Sequence, residues 1–296
     1  MVYFSTASLC SLLTILGTVT AAPAERSALH AVSTQGLQHC LSLTTPTNNP
    51  PQRDIGQIGS NNWSGALVSS PGKTYKSVSA TVIVPKATFP QGFSSKNYYT
   101  ASVWVGFSGY PNLIPGQSHA STATGLLQVG FDYLFDKEGD AGIFPFYEFY
   151  PDPPIFFDDL KIDVKTTYGD KVRMTVTPSS TTAGTIIFEN LTTGKSSTRS
   201  VTAPSGKELD LSIVEWITED FTAAGLAKTD VSVDWETLTF SDMKATFRDG
   251  SVDDLTNAFK LESDHGTTGG RFAACDIAPS SKSTTCKWLG PNGKKG

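Results

Sequence analysis

GTIIFENLTTGKSSTRSVTAP, residues Gly184 to Pro204, sets two short runs on either side of Asn190-Leu191-Thr192 and reads as a β-hairpin. The same style recurs outward from it. KTYKSVSATVIVP, Lys73 to Pro85, alternates and stops at its proline. KIDVKTTYGDKVRMTVTP, Lys161 to Pro178, shows two runs around a Tyr168-Gly169-Asp170 turn, and VSVDWETLTF, Val231 to Phe240, reads as a further strand. Short alternating runs bounded by Gly, Pro, Asn and Ser, with no sustained 3.6-residue period, predict an all-β chain folded as a sandwich or barrel. KELDLSIVEWITEDF, Lys207 to Phe221, reads either way: as a helix, or as a strand with Leu209, Leu211 and Ile213 alternating. No internal repeat is present.

The 296 residues fit one large β-domain or two average ones. A net charge of −5 and a pI near 5.4, with no Lys/Arg cluster before the closing GKKG, argue against nucleic acid. Met1 to Ala21 carries an apolar core, Leu9 to Val19, ending in small residues, and is expected to be a signal peptide despite an n-region without Lys or Arg. No other stretch has transmembrane length, so the chain is expected to be secreted, with no membrane partner. Residues 22–58 lack hydrophobic period and are expected to be a propeptide, leaving 59–296 as the folded domain and a monomer.

Cys10 leaves with the signal and Cys40 lies in the propeptide. Cys275 and Cys286 remain, and two nearby cysteines in an oxidising compartment are expected to pair, free thiols being the alternative. The tail after Gly250 reads as a final strand pair stapled by that disulfide or as a loose extension. Asn190-Leu191-Thr192 is a glycosylation sequon in a turn, so a glycan is expected on Asn190.

Common catalytic systems do not fit. Gly106-Phe107-Ser108-Gly109-Tyr110 superficially matches a nucleophile elbow, but it ends in Tyr and has no helix to open. The two histidines outside the propeptide, His119 and His265, sit in no metal-ligand spacing, and neither metal nor cofactor is expected. A triad assembled across the fold is disfavoured by that scarcity. Carboxylates and amides are left as catalysts.

Period-two reading puts such groups on shared faces. In LLQVGFD, Gln128, Gly130 and Asp132 lie together. Trp104, Gly106 and Ser108 share a face in VWVGFS, and Phe146, Glu148 and Tyr150 in FYEFY. If IVEWI is extended, Glu215 stands between Ile213 and Ile217, a placement that desolvates its carboxyl. Each stretch alone also fits an ordinary half-exposed strand, and Glu215 also fits an exposed position on a short helix, with Glu219 one turn on. Together the faces have the composition of a cleft for an extended polymer. Two carboxylates such as Glu148 and Asp132 would equally suit a glycoside hydrolase, and the aromatic face a lectin-like binding module.

NNWSGALV, SATVIVP, VWVGFSG, LLQVGFD, FYEFYPD, TIIFENLTTGKS and IVEWITEDF, in this order and spacing, resemble the fungal glutamic peptidases, or eqolisins, over about Asn61 to Phe240. The resemblance implies a sandwich of two antiparallel sheets, of lectin/glucanase (concanavalin A-like) architecture, with a concave active groove. It implies a secreted proenzyme that hydrolyses protein or peptide substrates in acid with a Gln and a Glu. Those residues match Gln128 and Glu215. Trp63, Trp104, Asp132, Glu148 and Tyr150 match positions around the pair or in contact with substrate. A working base needs an ionised fraction in acid, so Glu215 is expected not to be strongly elevated in pKa. Ser108 stands where the family carries Asp, Phe149 where it carries Trp, and Phe144-Pro145-Phe146 is more apolar than usual. These departures bear on subsite preference and pH optimum.

Overall fold

A computed structural model describes residues 57–60, 62–90, 99–109, 114, 124–135, 141–221, 232–263 and 272–290. These form two stacked sheets. Sheet A contains β1 (Gln57–Ser60), β2 (Trp63–Ser69), β4 (Tyr99–Ser108), β5 (Leu126–Phe135), β6 (Ala141–Tyr150), β7 (Ile155–Phe156), β11 (Ile213–Glu219) and β13 (Phe259–Ser263). Sheet B contains β3 (Tyr75–Ile83), β8 (Lys171–Pro178), β9 (Ala183–Asn190), β10 (Lys195–Thr202), β12 (Thr237–Phe247), β14 (Ala273–Ala278) and β15 (Ser283–Trp288). The order across sheet A is β1-β13-β2-β11-β4-β5-β6-β7, and across sheet B β10-β9-β8-β3-β12-β15-β14. All pairings are antiparallel except β1 with β13.

The alternation read from sequence sorts side chains into two apolar clusters. Along β11, Val214 and Trp216 enter the core between the sheets, where they join Val103, Val129, Val78, Phe188 and Phe240. Ile213 and Ile217 point the other way, onto the outer face of sheet A with Leu67, Trp104, Leu126 and Phe146. Within Lys207–Phe221 only Ile213–Glu219 is strand, entered through a turn at Leu211 and Ser212. The helix alternative for Glu215 is excluded, because the segment is paired on both sides, to β2 and to β4.

Two runs expected as strands are not laddered. Ile162 to Thr167 lies outside any strand, with Val164 and Thr166 buried, and Ser232 to Glu236 contributes a single bridge, Asp234 to Thr88, while Val233 and Trp235 bury. Their alternation records burial on one side without continuous pairing. The chain after Gly250 is the stapled strand pair: Cys275 and Cys286 are direct cross-strand partners in β14 and β15 and form a disulfide.

Two of the expected features fall within paired or buried structure. The boundary at residue 58 cuts through β1, where Ile58 is buried against the outer cluster. The sequon Asn190 is fully buried: its Nδ2 donates to Lys165 O at 2.8 Å and Asp170 Oδ2 at 2.9 Å, and its Oδ1 accepts from the backbone of Thr192 and Thr193. Both amide hydrogens are spent inside the fold, so a glycan on Asn190 would displace one of these bonds. His119, His265, Cys10 and Cys40 lie outside the described residues.

Candidate active site

Register builds the site. Leu67, Glu215, Gly106, Gln128 and Glu148 are successive cross-strand partners on β2, β11, β4, β5 and β6, one row across five strands. Directly opposed residues share a face, so Glu215 and Gln128 stand on the outer face two strand spacings, about 9.6 Å, apart at their Cα atoms. Between them is Gly106, which puts no side chain in the way. A Cβ there would press on Trp104 Cζ3 at 3.0 Å and Leu126 Cδ1 at 3.1 Å, so these side chains close over the glycine and leave no room for a larger residue. A second row holds Gly65, Ile217, Trp104, Gly130 and Phe146. A third holds Trp63, Glu219, Ser102, Asp132 and Phe144. Every residue singled out from the sequence, Trp63, Trp104, Gln128, Asp132, Glu148, Tyr150 and Glu215, thus falls on this one face.

Four carboxyls are buried here: Asp132, Glu148, Glu215 and Glu219. Among the described residues no ion pair reaches any of them. Desolvation pushes all four up. Glu215 is the barest, fully buried with neither oxygen hydrogen-bonded by a described protein group. Burial first, then the nearby Glu219, holds its carboxyl well above the usual range. This overturns the expectation that Glu215 stays near its ordinary value. Burial also raises Glu148 well above its usual range, against a hydrogen bond from Gln128, with Glu219, Asp132 and Asp152 adding to the rise. Gln128 Nε2 donates to Glu148 Oε2, so Glu148 holds the amide while Gln128 Oε1 stays without a described partner. Asp132 is raised chiefly by burial, with Glu219 contributing.

Glu219 is the residue that sequence reading passed over. It accepts from Asn62 Nδ2 at 2.7 Å, Trp104 Nε1 at 3.0 Å and the Trp63 side chain. These bonds hold it down to about 7 against a burial that alone would push it higher. The signal was available: extending the period-two reading of Glu215 and Ile217 by one step lands on Glu219.

The sequence departures separate by face. Phe149 packs into the core between the sheets, so its size bears on the sandwich rather than on the site. Phe144, Phe146 and Phe156 form an aromatic edge on the outer face, with ring centroids 6.4 Å (Phe144–Phe156) and 6.0 Å (Phe146–Phe156) apart. Ser108 is fully buried at a left-handed φ of 72°, and its Oγ accepts from the Asp210 amide at 2.9 Å, tying the end of β4 to the lead-in of β11. Among the described residues no cluster of three His, Cys, Asp or Glu is arranged to hold a metal ion.

The chain is 30% identical to aspergillopepsin-2 of Aspergillus niger over 63% of its length, and 35% identical to scytalidopepsin B of Scytalidium lignicola over 54%. The matched stretches span 64% and 52% of those relatives. The solved structure of scytalido-glutamic peptidase with a transition state analog inhibitor superposes with a TM-score of 0.57 at 25% identity, covering 77% of this chain and 98% of that one. Aspergilloglutamic peptidase from Aspergillus niger gives 0.52 at 27% identity, covering 64% and 99%. A model of the Peptidase A4 family matches residues 61–288, most of the chain, and the chain belongs to that family.

Proposed function

We propose that the chain is a secreted endopeptidase of the glutamic type, acting in acid on protein or peptide substrates with Glu215 and Gln128 as its catalytic pair. The observation that carries this is the row Glu215–Gly106–Gln128, which sets a carboxyl and an amide on one face with only a glycine between them in the row. That scytalido-glutamic peptidase has been solved with a peptide based transition state analog supports a peptide substrate here.

In the reaction, ionised Glu215 takes a proton from water as the water oxygen bonds to the scissile carbonyl carbon. The carbonyl oxygen gathers negative charge and accepts a hydrogen bond from the Gln128 amide. Glu215 then passes its proton to the amide nitrogen as the C–N bond breaks, giving a carboxylic acid and an amine and restoring the enzyme. Burial makes Glu215 a stronger base in each ionised copy but ionises fewer copies. Water or a substrate N–H donating to the carboxylate restores the ionised form in the complex. The acidic limb of kcat, which reports the complex, is therefore expected at lower pH than that of kcat/KM, which reports the free enzyme.

The signal (1–21) and prosegment belong to the same proposal, with the activating cut before Gln57 so that β1 stays in the sheet. Trp63, Trp104, Asp132, Glu148 and Tyr150 frame the substrate. The test is cleavage of a denatured protein by the purified, acidified chain. Gln128→Ala should lose roughly 10²–10³ in kcat, and Glu215→Gln essentially everything. Proteolysis that survives Glu215→Gln, or polysaccharide cleavage in place of proteolysis, overturns the assignment.

A further inference from the structure

We propose that Phe144, with Phe146 and Phe156, forms a subsite that selects a bulky apolar side chain of the peptide substrate. This rests on the peptidase reading and deepens it, assigning a substrate chemistry to one end of the outer face. Phe144 and Phe146 belong to the run that is more apolar than the family pattern, so the preference is this chain's own.

Period two puts Phe144, Phe146 and Glu148 of β6 on the outer face, and β7 sets Phe156 directly opposite Phe146. The Phe157 amide donates to Pro145 O at 3.0 Å and pins β7 to this stretch. Phe146 and Phe156 are buried, while Phe144 is half-buried. Phe156 stands edge-on to Phe144 at 89° and tilts by 48° against Phe146, contacts that aromatic rings favour. The ring of Phe144 reaches back along its own strand over Gly142, where a Cβ would overlap its Cε2 and Cζ. Gly142 therefore seats the ring against the strand. Phe146 and Phe156 close one side of it, and part of it stays exposed.

Register places this shelf beside the catalytic row. Glu148 is the cross-strand partner of Gln128. Along β6, Phe146 lies about 7 Å and Phe144 about 14 Å from it. An extended peptide held at Gln128 rises by about the same amount per residue, so it sets a side chain on the shelf within about four residues of the cut. Asp132, the cross-strand partner of Phe144, is pushed well above the usual carboxylate range by its burial. In acid it stands beside the shelf as a neutral acid and offers no charge to a lysine or arginine. What the shelf can recognise is apolar area.

The experiment uses the purified, acidified chain and one peptide frame in which Phe, Leu, Ala or Lys is placed at each position in turn. At one position, wild type is expected to favour Phe and Leu over Ala by about tenfold in kcat/KM, with Lys no better than Ala. Phe144→Ala removes the ring, and Gly142→Ala keeps it but lifts it from its seat. Both should cut the Phe/Ala ratio a few-fold at that same position, through KM and with kcat unchanged. A loss that falls equally on Phe and Ala peptides marks a structural role and overturns the proposal. So does cleavage with no apolar preference at any position, or a ratio unmoved in both variants while circular dichroism shows them folded. If Gly142→Ala does not fold, Phe144→Ala decides alone. No cleavage of any peptide by wild type removes the peptidase reading itself, and this proposal with it.

Discussion

Two clusters of buried polar side chains are treated in opposite ways. Beside sheet B, Asp170 accepts from Thr167 N at 2.8 Å, Thr167 Oγ1 at 3.1 Å and Asn190 Nδ2 at 2.9 Å. Burial works to raise Asp170, but the bonds from Thr167, Asn190 and Thr192 together bring it below its ordinary value. On the outer face of sheet A, four carboxyls share too few donors, and all are raised. A buried polar group with its partners stabilises a fold. One left short of partners costs stability and keeps its chemistry available.

The largest expected effect follows from the sign of those shifts. A carboxyl whose folded pKa exceeds its unfolded value changes nothing below the unfolded value, where both states are protonated. As pH rises past about 4.5 the unfolded chain loses its proton first, and stability falls until the folded group also ionises. For Glu219, raised from 4.5 to about 7, this amounts to about 3 kcal/mol by neutral pH. The other three carboxyls act in the same direction, while Asp170, lowered, favours folding above its unfolded value of 3.8. Urea midpoints measured from pH 4 to pH 8 should fall, and Glu219→Gln should flatten part of the slope. A flat or rising wild-type series breaks the contrast.

Next in size, Asn190→Ala should cost about 1–3 kcal/mol by stranding Asp170 and the Lys165 carbonyl. The kcat/KM of the folded fraction should stay unchanged, and altered kinetics would tie the sheet B cluster to the site. Glu148→Gln sharpens the other side. It should retain turnover while shifting KM and the pH profile several-fold, because glutamine can still hold the Gln128 amide through its oxygen. If Glu148→Gln is dead and Glu215→Gln is active, the two glutamates have been assigned the wrong way round. The smallest effects divide the aromatic positions: Phe144→Ala should change preference among bulky apolar substrate residues a few-fold, and Phe149→Trp should not. Equal changes from both would undo the separation by face.

Much of this was legible because a strand forces alternate residues to opposite sides. Gln128 with Asp132, Glu148 with Tyr150, and Trp104 with Gly106 all sorted correctly, and the cysteine pair was found from spacing and compartment. The row that joins them was not legible, since register between β5, β4 and β11 depends on pairings far apart in sequence. Alternation also misled at Ile162–Thr167 and Ser232–Glu236, where one side is buried but no neighbouring strand completes the ladder. The burial of Asn190 escaped notice because a sequon carries no information about who hydrogen-bonds its amide. Glu215 was expected near its ordinary value because the reasoning ran from acid operation; the extent of its desolvation depends on Trp63 and Gly109, which meet it only in the fold.

The strand order of sheet A has a consequence for when the buried-carboxyl row is completed. β11 is made after β2, β4, β5 and β6, yet it is inserted between β2 and β4 rather than added at an edge. A growing chain can assemble much of the outer face around Gln128 and still lack Glu215. Glu215 arrives only with the strand that closes the middle of the sheet, while β12 to β15 are still to follow.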